Sequence, residues 1–290
     1  MKKYWSSFLF AVAIGFASAS SAHAGIATTD FTESWRQASM GDAAALDRLT
    51  QAARQGDATA QRGLGFLYEQ GLGVAKDIPQ AEGWFRKAAE QDDVSAQVMM
   101  GWTCWFDPEA RRDYDRAKFW LLKAAEHGSV TAQNMLGTLY LSSAADFEQA
   151  RLWLGKAADA GHPEAMSNLA ELYLYGRGGP TDYERGRLLL LKAVDNGYSM
   201  AMYNLGVLYF KGQGVPKDYV QSIKWFTLAM SRGDADAEAV LARLAHVATA
   251  AQLAQGQALA REWLAQQPDR PAEHDAPDIE LAYHYSFKMR

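Results

Sequence analysis

The stretch AQRGLGFLYEQGLGVAKDIPQAEGWFRKAA, residues 60–89, decides the fold of this 290-residue chain. Its first half places Ala60, Leu64 and Tyr68 at i, i+4 and i+8, which is one face of an α-helix. Its second half begins at Asp77, a residue type whose side chain can accept a hydrogen bond from the first turn of a helix. A glycine-containing loop, residues 71–74, separates the two halves. The stretch therefore predicts a helical hairpin.

The same pattern recurs along the chain, and its opening alanine returns at steps of 36, 36, 33, 36 and 36 residues. A large apolar residue follows this alanine by four positions, and a small residue stands directly after the apolar one. Small residues allow neighbouring helices to approach closely. The opening alanines are Ala60, Ala96, Ala132, Ala165, Ala201 and Ala237, and the small residues are Gly65, Gly101, Gly137, Ala170, Gly206 and Ala242.

A second helix is marked in each unit by an aspartate before it and a glycine after it. The aspartates are predicted to cap the helix N-terminus, and the glycines to adopt the left-handed conformation just past its end. The predicted caps are Asp77, Asp113, Asp146, Asp182 and Asp218. The predicted left-handed glycines are Gly128, Gly161, Gly197 and Gly233. Between these markers, the first three units share a Trp-x-x-Lys-Ala-Ala sequence that starts at Trp84, Trp120 and Trp153.

A hairpin of 33 or 36 residues is too small to bury its own apolar face, so neighbouring units must stack. The predicted fold is therefore all-α, an α-solenoid of stacked helical hairpins. Residues 25–59 are predicted to hold N-terminal helices with a degenerate half repeat. Five repeats follow at 60–95, 96–131, 132–164, 165–200 and 201–236, then a capping hairpin at 237–265 and a tail at 266–290.

These recurring columns resemble the Sel1-like repeat, a relative of the tetratricopeptide repeat, over most of the chain. The resemblance implies a right-handed superhelix that serves as a binding scaffold. Members of the family assemble complexes, regulate signalling or serve in the bacterial envelope, and some bind cell-wall components. Three loops between the two helices of a repeat depart from the Gly-x-Gly-Val pattern, so the resemblance does not predict their conformation. These loops are residues 107–112, 142–145 and 176–180.

Residues 1–24 have the pattern of a cleaved secretory signal. Lys2 and Lys3 precede an apolar stretch at 8–17, and Ala22-His23-Ala24 matches the small-x-small rule for signal peptidase. The segment predicts a periplasmic protein, and a retained anchor is the alternative. Because no second apolar run of spanning length follows, the mature chain is expected to have no transmembrane segment.

Composition and motifs limit the chemistry that the chain can support. A net charge of −5 argues against a nucleic-acid partner. The single cysteine, Cys104, excludes an internal disulfide and is expected to be a small buried residue, with a reactive thiol as the alternative. His127 and His162 are predicted to be exposed turn residues. Since no catalytic, phosphate-binding or metal-binding motif is found, we expect no enzyme activity, cofactor or metal.

The resemblance to tetratricopeptide stacks implies that the first helices line a concave groove. This places ten residues in the groove as candidate contacts for a protein or peptide partner, and tryptophans are common anchors in such surfaces. For Trp102 and Phe106 the alternative is a packing role. The candidates are Phe66, Val98, Trp102, Trp105, Phe106, Leu141, Tyr175, Tyr203, Val207 and Phe210.

The main functional hypothesis is a non-catalytic periplasmic scaffold that acts in envelope assembly or regulation. The alternative is a cell-envelope enzyme or a protein that binds carbohydrate or peptidoglycan. That alternative needs convergent carboxylates in the groove, where only Glu69, Glu164 and Glu171 carry acid.

The tail begins with a Pro-rich linker and continues with strict alternation of apolar and other residues, which indicates an extended segment with one apolar face. We expect this segment to dock along an apolar surface, either the protein's own groove, that of a second copy or a partner. A disordered, weakly adhesive tail is the alternative. Its apolar residues are Ile279, Leu281, Tyr283, Tyr285, Phe287 and Met289.

Overall fold

The computed structural model describes residues 28–106, 113–144 and 146–266. The predicted signal at 1–24, the loop at 107–112 and the apolar tail at 279–290 lie outside the described residues. Within them, the chain forms fourteen α-helices and one π-helical turn. The helices before the first full repeat are α1 (Thr28–Ser39) and α2 (Ala43–Arg54).

Each full repeat contributes a first and a second helix. The first helices are α3 (Ala58–Gln70), α5 (Val94–Phe106), α7 (Val130–Leu139), α9 (Pro163–Leu174) and α11 (Ser199–Lys211). The second helices are α4 (Ile78–Ala89), α6 (Tyr114–Glu126), α8 (Phe147–Asp159), α10 (Tyr183–Asp195) and α12 (Tyr219–Ser231). The C-terminal helices are α13 (Ala235–Leu244) and α14 (Ala250–Ala265).

The chain divides into two compact units, the first ending at Ala132 and the second beginning at Gln133. In the first unit, α1 to α6 pack against one another in chain order. In the second unit, α8 to α13 do the same, and α14 packs against α12.

All five predicted aspartate caps are confirmed. Each carboxylate accepts a hydrogen bond from a backbone N–H group in the first turn of its second helix. In addition, each aspartate's own N–H group donates to a carbonyl oxygen of the Tyr column, in or directly after the first helix, and Cys104 takes that place in the second repeat. This second bond links the end of the first helix to the start of the second in all five repeats, even where the loop sequence differs. In the third repeat, the shortened loop forms the π-helical turn Tyr140–Ala144.

The predicted left-handed glycines are also confirmed, since Gly128, Gly161, Gly197 and Gly233 have φ angles between 84° and 93°. The second glycine of the Gly-x-Gly loops has a further role. A Cβ atom on Gly73 would overlap the Ala38 carbonyl oxygen, and one on Gly214 would overlap the Tyr183 side chain. Glycine is therefore needed at these loops because the backbone passes directly against the preceding hairpin.

In four repeats the small residue after the apolar position is a glycine at a helix crossing, as predicted, whereas Ala242 near the C-terminus is exposed. A Cβ atom on Gly101 would lie 2.5 Å from Leu121 Cγ, and one on Gly137 would lie 2.6 Å from Leu154 Cγ. The fourth repeat has Ala170 at this position, and the close approach is provided instead by Gly186 of α10, which packs on Leu174. The crossing is kept while the glycine moves to the other helix.

The Trp-x-x-Lys pairs are cation–π contacts on the second helices. The ammonium groups of Lys87 and Lys156 lie 4.2 and 3.8 Å from the ring centroids of Trp84 and Trp153. Such contacts contribute about 0.5–1 kcal/mol each at exposed sites. This column therefore supports the second helix locally.

Candidate functional site

We call the surface formed by the first helices of the repeats the first-helix face, and describe it separately in each unit. In the second unit, polar side chains join consecutive first helices. Asn134 Nδ2 on α7 donates to Glu164 Oε2 on α9 at 2.9 Å, and Asn204 Nδ2 on α11 donates to Glu171 Oε1 on α9 at 3.1 Å. Asn204 Nδ2 also lies 3.3 Å from Ser167 Oγ. These bonds place α7, α9 and α11 side by side.

A related link occurs in the first unit. Arg62 of α3 pairs with Asp93 at 3.2 Å, and Asp93 also accepts a hydrogen bond from the N–H group of Ala96 at the start of α5. Burial lowers the pKa of Arg62, and the Asp93 carboxylate opposes that shift. The ion pair therefore links α3 to the residue that caps α5, the first helix of the next repeat, in a largely dry environment.

Two carboxyl groups on α9, those of Glu164 and Glu171, have pKa values raised by burial. Glu164 is 6% exposed, and burial raises its pKa to about 7. Burial also raises the pKa of Glu171, while the bond from Asn204 opposes the shift. In the part of the chain that the structure describes, no cationic group lies within 4.0 Å of either carboxylate.

Each of the three groove acids has a hydrogen-bonding partner within its own unit. Asn134 donates to Glu164, Asn204 donates to Glu171, and Gln70 donates to Glu69. Burial raises the pKa of Glu69 as well. The bonds to Glu164 and Glu171 hold neighbouring helices together.

Three of the predicted groove residues are packed inside the protein, which corrects the prediction for them. Phe66, Val98 and Trp105 are each less than a tenth exposed. Phe66 packs edge-on against Trp35 of α1, with ring centroids 6.2 Å apart. The predicted pattern of groove positions was therefore too broad, because some of them face a neighbouring helix.

The other predicted residues retain accessible surface. Trp102, Leu141, Tyr203 and Val207 are half-buried, and Tyr175 and Phe210 are 47% and 37% exposed. The Tyr203 ring also packs on Phe226 of α12 at 5.2 Å, and the Phe210 ring lies 6.0 Å from Tyr219 at the start of that helix. The side chain of Phe106 lies outside the described residues.

His162 differs from its predicted role as an exposed turn residue. Its Nδ1 atom accepts a hydrogen bond from the N–H group of Ala165 at 3.4 Å, and so it caps α9. Burial lowers its pKa to about 4, so the ring is neutral at neutral pH, and the bond from Ala165 favours the tautomer with Nδ1 unprotonated. The equivalent caps of other first helices are Asp57, Asp93, Ser129 and Asp234. A capping side chain stands three residues before five of the six opening alanines, a signal that is present in the sequence but was not predicted; Tyr198, before Ala201, makes no capping bond.

Cys104 is buried, as predicted, and burial raises the pKa of its thiol. A thiol with a raised pKa is a poor nucleophile at neutral pH. Among the described residues, no group of three or more His, Cys, Asp or Glu side chains could hold a metal ion. The same residues include no helix that is long and apolar enough to cross a membrane.

Comparison with known proteins identifies the repeats. The model of the Sel1 repeat matches residues 58–93, 94–129, 130–162, 163–198 and 199–234. Each matched repeat begins two residues before the opening alanine. No curated protein matches this chain significantly.

Solved structures similar to this chain include a protective antigen and a Sel1 repeat protein. One is a protective antigen present in uropathogenic Escherichia coli strains that displays an SLR fold, with 31% identity and a TM-score of 0.72. The match covers 81% of this chain and 53% of the antigen, so this chain spans about half of that protein. The other is a Sel1 repeat protein from Oxalobacter formigenes, with 30% identity and a TM-score of 0.58, over 69% of this chain and 84% of that one.

Proposed function

This chain belongs to the Sel1 repeat family, and we propose that it is a non-catalytic scaffold that binds a protein or peptide partner on its first-helix face. Stacked repeats offer a partner an extended surface in place of a single deep cleft. The partner would be held by several side chains from successive first helices.

The observation that carries this proposal is the composition of the first-helix face in the second unit. Leu141, Tyr175, Tyr203 and Val207 keep exposed area on or directly after three successive first helices. Tyrosines are enriched among the few residues that dominate the energy of protein interfaces, and the apolar residues beside them exclude water. The polar bonds from Asn134 and Asn204 fix the spacing of these helices, which makes the surface preorganised.

A matched pair of alanine variants tests which surface binds. Tyr175 follows α9 and is 47% exposed, and Leu188 on the second helix α10 is 46% exposed. The protein is used as bait in an envelope extract of its source cells, and each captured protein is purified and titrated calorimetrically. We expect Tyr175→Ala to weaken binding about tenfold or more and Leu188→Ala to leave it unchanged. Equal affinities for both variants, or a loss with Leu188→Ala alone, would contradict the proposal.

The proposal includes a periplasmic location and a role in envelope assembly or regulation. It is supported by the signal-like sequence at 1–24, and the E. coli relative is a protective antigen, which favours a location at the cell envelope. Cell fractionation and N-terminal sequencing of the isolated protein test the location. Cleavage after Ala24 is expected, and recovery of an uncleaved protein with the cytoplasmic fraction would contradict it.

The tail is proposed to compete with the partner for the first-helix face. Its alternating apolar residues from Ile279 to Met289 would bury one side of an extended segment, at about 1.5–3 kcal/mol per large side chain before ordering costs. Deletion of residues 277–290 is then expected to raise the affinity for the partner. An unchanged affinity would contradict a competing role.

A further inference from the structure

The bond between Asn134 and Glu164 joins the third and fourth repeats inside the second unit. Asn134 is 2% exposed and Glu164 is 6% exposed, so water contributes little to this contact. Asn134 Nδ2 donates to Glu164 Oε2 at 2.9 Å. Asn134 Oδ1, which belongs to the same amide group, is buried and has no hydrogen-bond partner.

The pair has more acceptors than donors when Glu164 is ionised. A carboxylate only accepts hydrogen bonds, and so does the amide oxygen. An unsatisfied buried acceptor costs about 1–3 kcal/mol. A protonated Glu164 would supply a donor to Asn134 Oδ1, and a carboxylic acid and a primary amide can then exchange two hydrogen bonds.

His162 and Glu171 share α9 with Glu164, and the arginines of α8 and α10, the helices that pack against α9, have other partners. On α9, His162 is neutral above its pKa of about 4, and Glu171 is bonded to Asn204 of α11. On α8, Arg151 donates to the carbonyl oxygens of Arg177 and Leu172.

On α10, Arg187 is paired with Glu184, and Arg185 lies over the Tyr173 ring. Burial favours the neutral form of the Glu164 carboxyl group, and the bond from Asn134 opposes it.

We propose that Glu164 is a protonated carboxylic acid in the folded protein below neutral pH, that it donates to Asn134 Oδ1, and that this joint between α7 and α9 loosens when the proton is lost. Ionisation breaks the O–H bond and releases the proton to solvent. It leaves a buried carboxylate facing an amide oxygen. The joint makes the second unit sensitive to pH whether or not a partner is bound.

The sign of the effect follows from the raised pKa. The unfolded state releases the Glu164 proton near pH 4.5, and the folded state releases it near pH 7, so this contribution to stability is lost as the pH rises through 7. Between pH 5.5 and pH 8, this group alone is expected to raise the unfolding equilibrium constant about 30-fold.

Glu164→Gln tests the joint, because glutamine is neutral at all pH values, accepts from Asn134 Nδ2 and can donate to Asn134 Oδ1. Urea unfolding of the full chain is measured at pH 5.5 and at pH 8. Between these two pH values, the unfolding equilibrium constant of wild type is expected to rise about 30-fold more than that of Glu164→Gln. Glu126→Gln, at an exposed position on α6, is the control and is expected to behave as wild type. A Glu164→Gln variant with the same pH dependence as wild type would overturn the proposal.

A titration of the wild-type protein tests the proposal without relying on a variant. Glutamate labelled with ¹³C at the carboxyl carbon gives one resonance per residue, and the Glu164 signal is the one absent from Glu164→Gln. If that variant does not fold, Glu164→Asp provides the assignment. A midpoint near pH 7 is expected, and a midpoint near 4.5 would overturn the proposal.

Discussion

Replacing Gly137 by alanine adds one methyl group at the crossing of α7 and α8. The new Cβ atom would lie 2.6 Å from Leu154 Cγ and 3.1 Å from the Leu154 backbone nitrogen. The first contact is far below the van der Waals distance, and Leu154 is fully buried, so the two helices have to move apart. We therefore expect this substitution to destabilise the protein, although alanine is the better helix former.

Gly155 provides a matched control one residue after Leu154. It lies inside α8, and a Cβ atom there meets nothing within 4 Å. Both substitutions gain about 1 kcal/mol from helix propensity, so this gain cancels in the comparison. Overpacking of a core typically costs 1–3 kcal/mol, which predicts that Gly137→Ala is about 2 kcal/mol less stable than Gly155→Ala. For Gly137→Trp, a loss of about 3 kcal/mol or more relative to wild type is expected.

Urea unfolding followed by circular dichroism at 222 nm measures the difference. Gly155→Ala is expected to unfold at a higher urea concentration than wild type, and Gly137→Ala at a lower one. If Gly137→Ala is as stable as Gly155→Ala, the account of the small-residue column as a helix crossing is wrong.

Three further substitutions test other parts of the fold. Trp105→Ala is expected to lower the stability by about 3–5 kcal/mol, because Trp105 is 6% exposed, and a normal melting temperature would show that it is not core. Asp182→Ala removes the cap of α10 and should cost about 1 kcal/mol in thermal unfolding, whereas no change would argue against the cap. Because burial lowers the pKa of His162 to about 4, wild type should lose stability as the pH falls from about 6.5 to 4. His162→Asn, which keeps a capping side chain, should lose less over that range, and an equal loss would exclude His162 as the cause.

The helices, the caps of the second helices and the crossings could be predicted from the sequence because each depends on local chemistry that recurs at a fixed spacing. Asp77 and its four equivalents cap helices wherever they occur, since a cap needs only its own first turn. Gly137 signals a crossing because a small residue recurs directly after the large apolar residue of every repeat, whereas a Cβ atom on the isolated Gly155 would meet nothing within 4 Å. These columns were sufficient to predict the number of repeats and the order of their helices.

The candidate site was harder to predict because it depends on which way each side chain points between neighbouring repeats. Phe66 and Trp105 were placed on the partner surface by their position in the repeat, yet both are buried. The bond between Asn134 and Glu164 was not foreseen, because the two residues are 30 positions apart and belong to different columns. In the fourth repeat, Ala170 takes the place of the usual glycine, and Gly186 on the other helix provides the close approach by packing on Leu174. This contact could not be predicted from the small-residue column alone.

Photo-crosslinking tests the proposed binding face most directly. A p-benzoylphenylalanine residue is introduced in place of Tyr175 or of Leu188, two side chains of nearly equal exposure in the second unit. Both proteins are irradiated in the source cells, and the crosslinked products are identified by mass spectrometry. The account predicts one specific protein product from position 175 and none from position 188. A product from position 188 alone would contradict it, and so would the same product in equal yield from both positions.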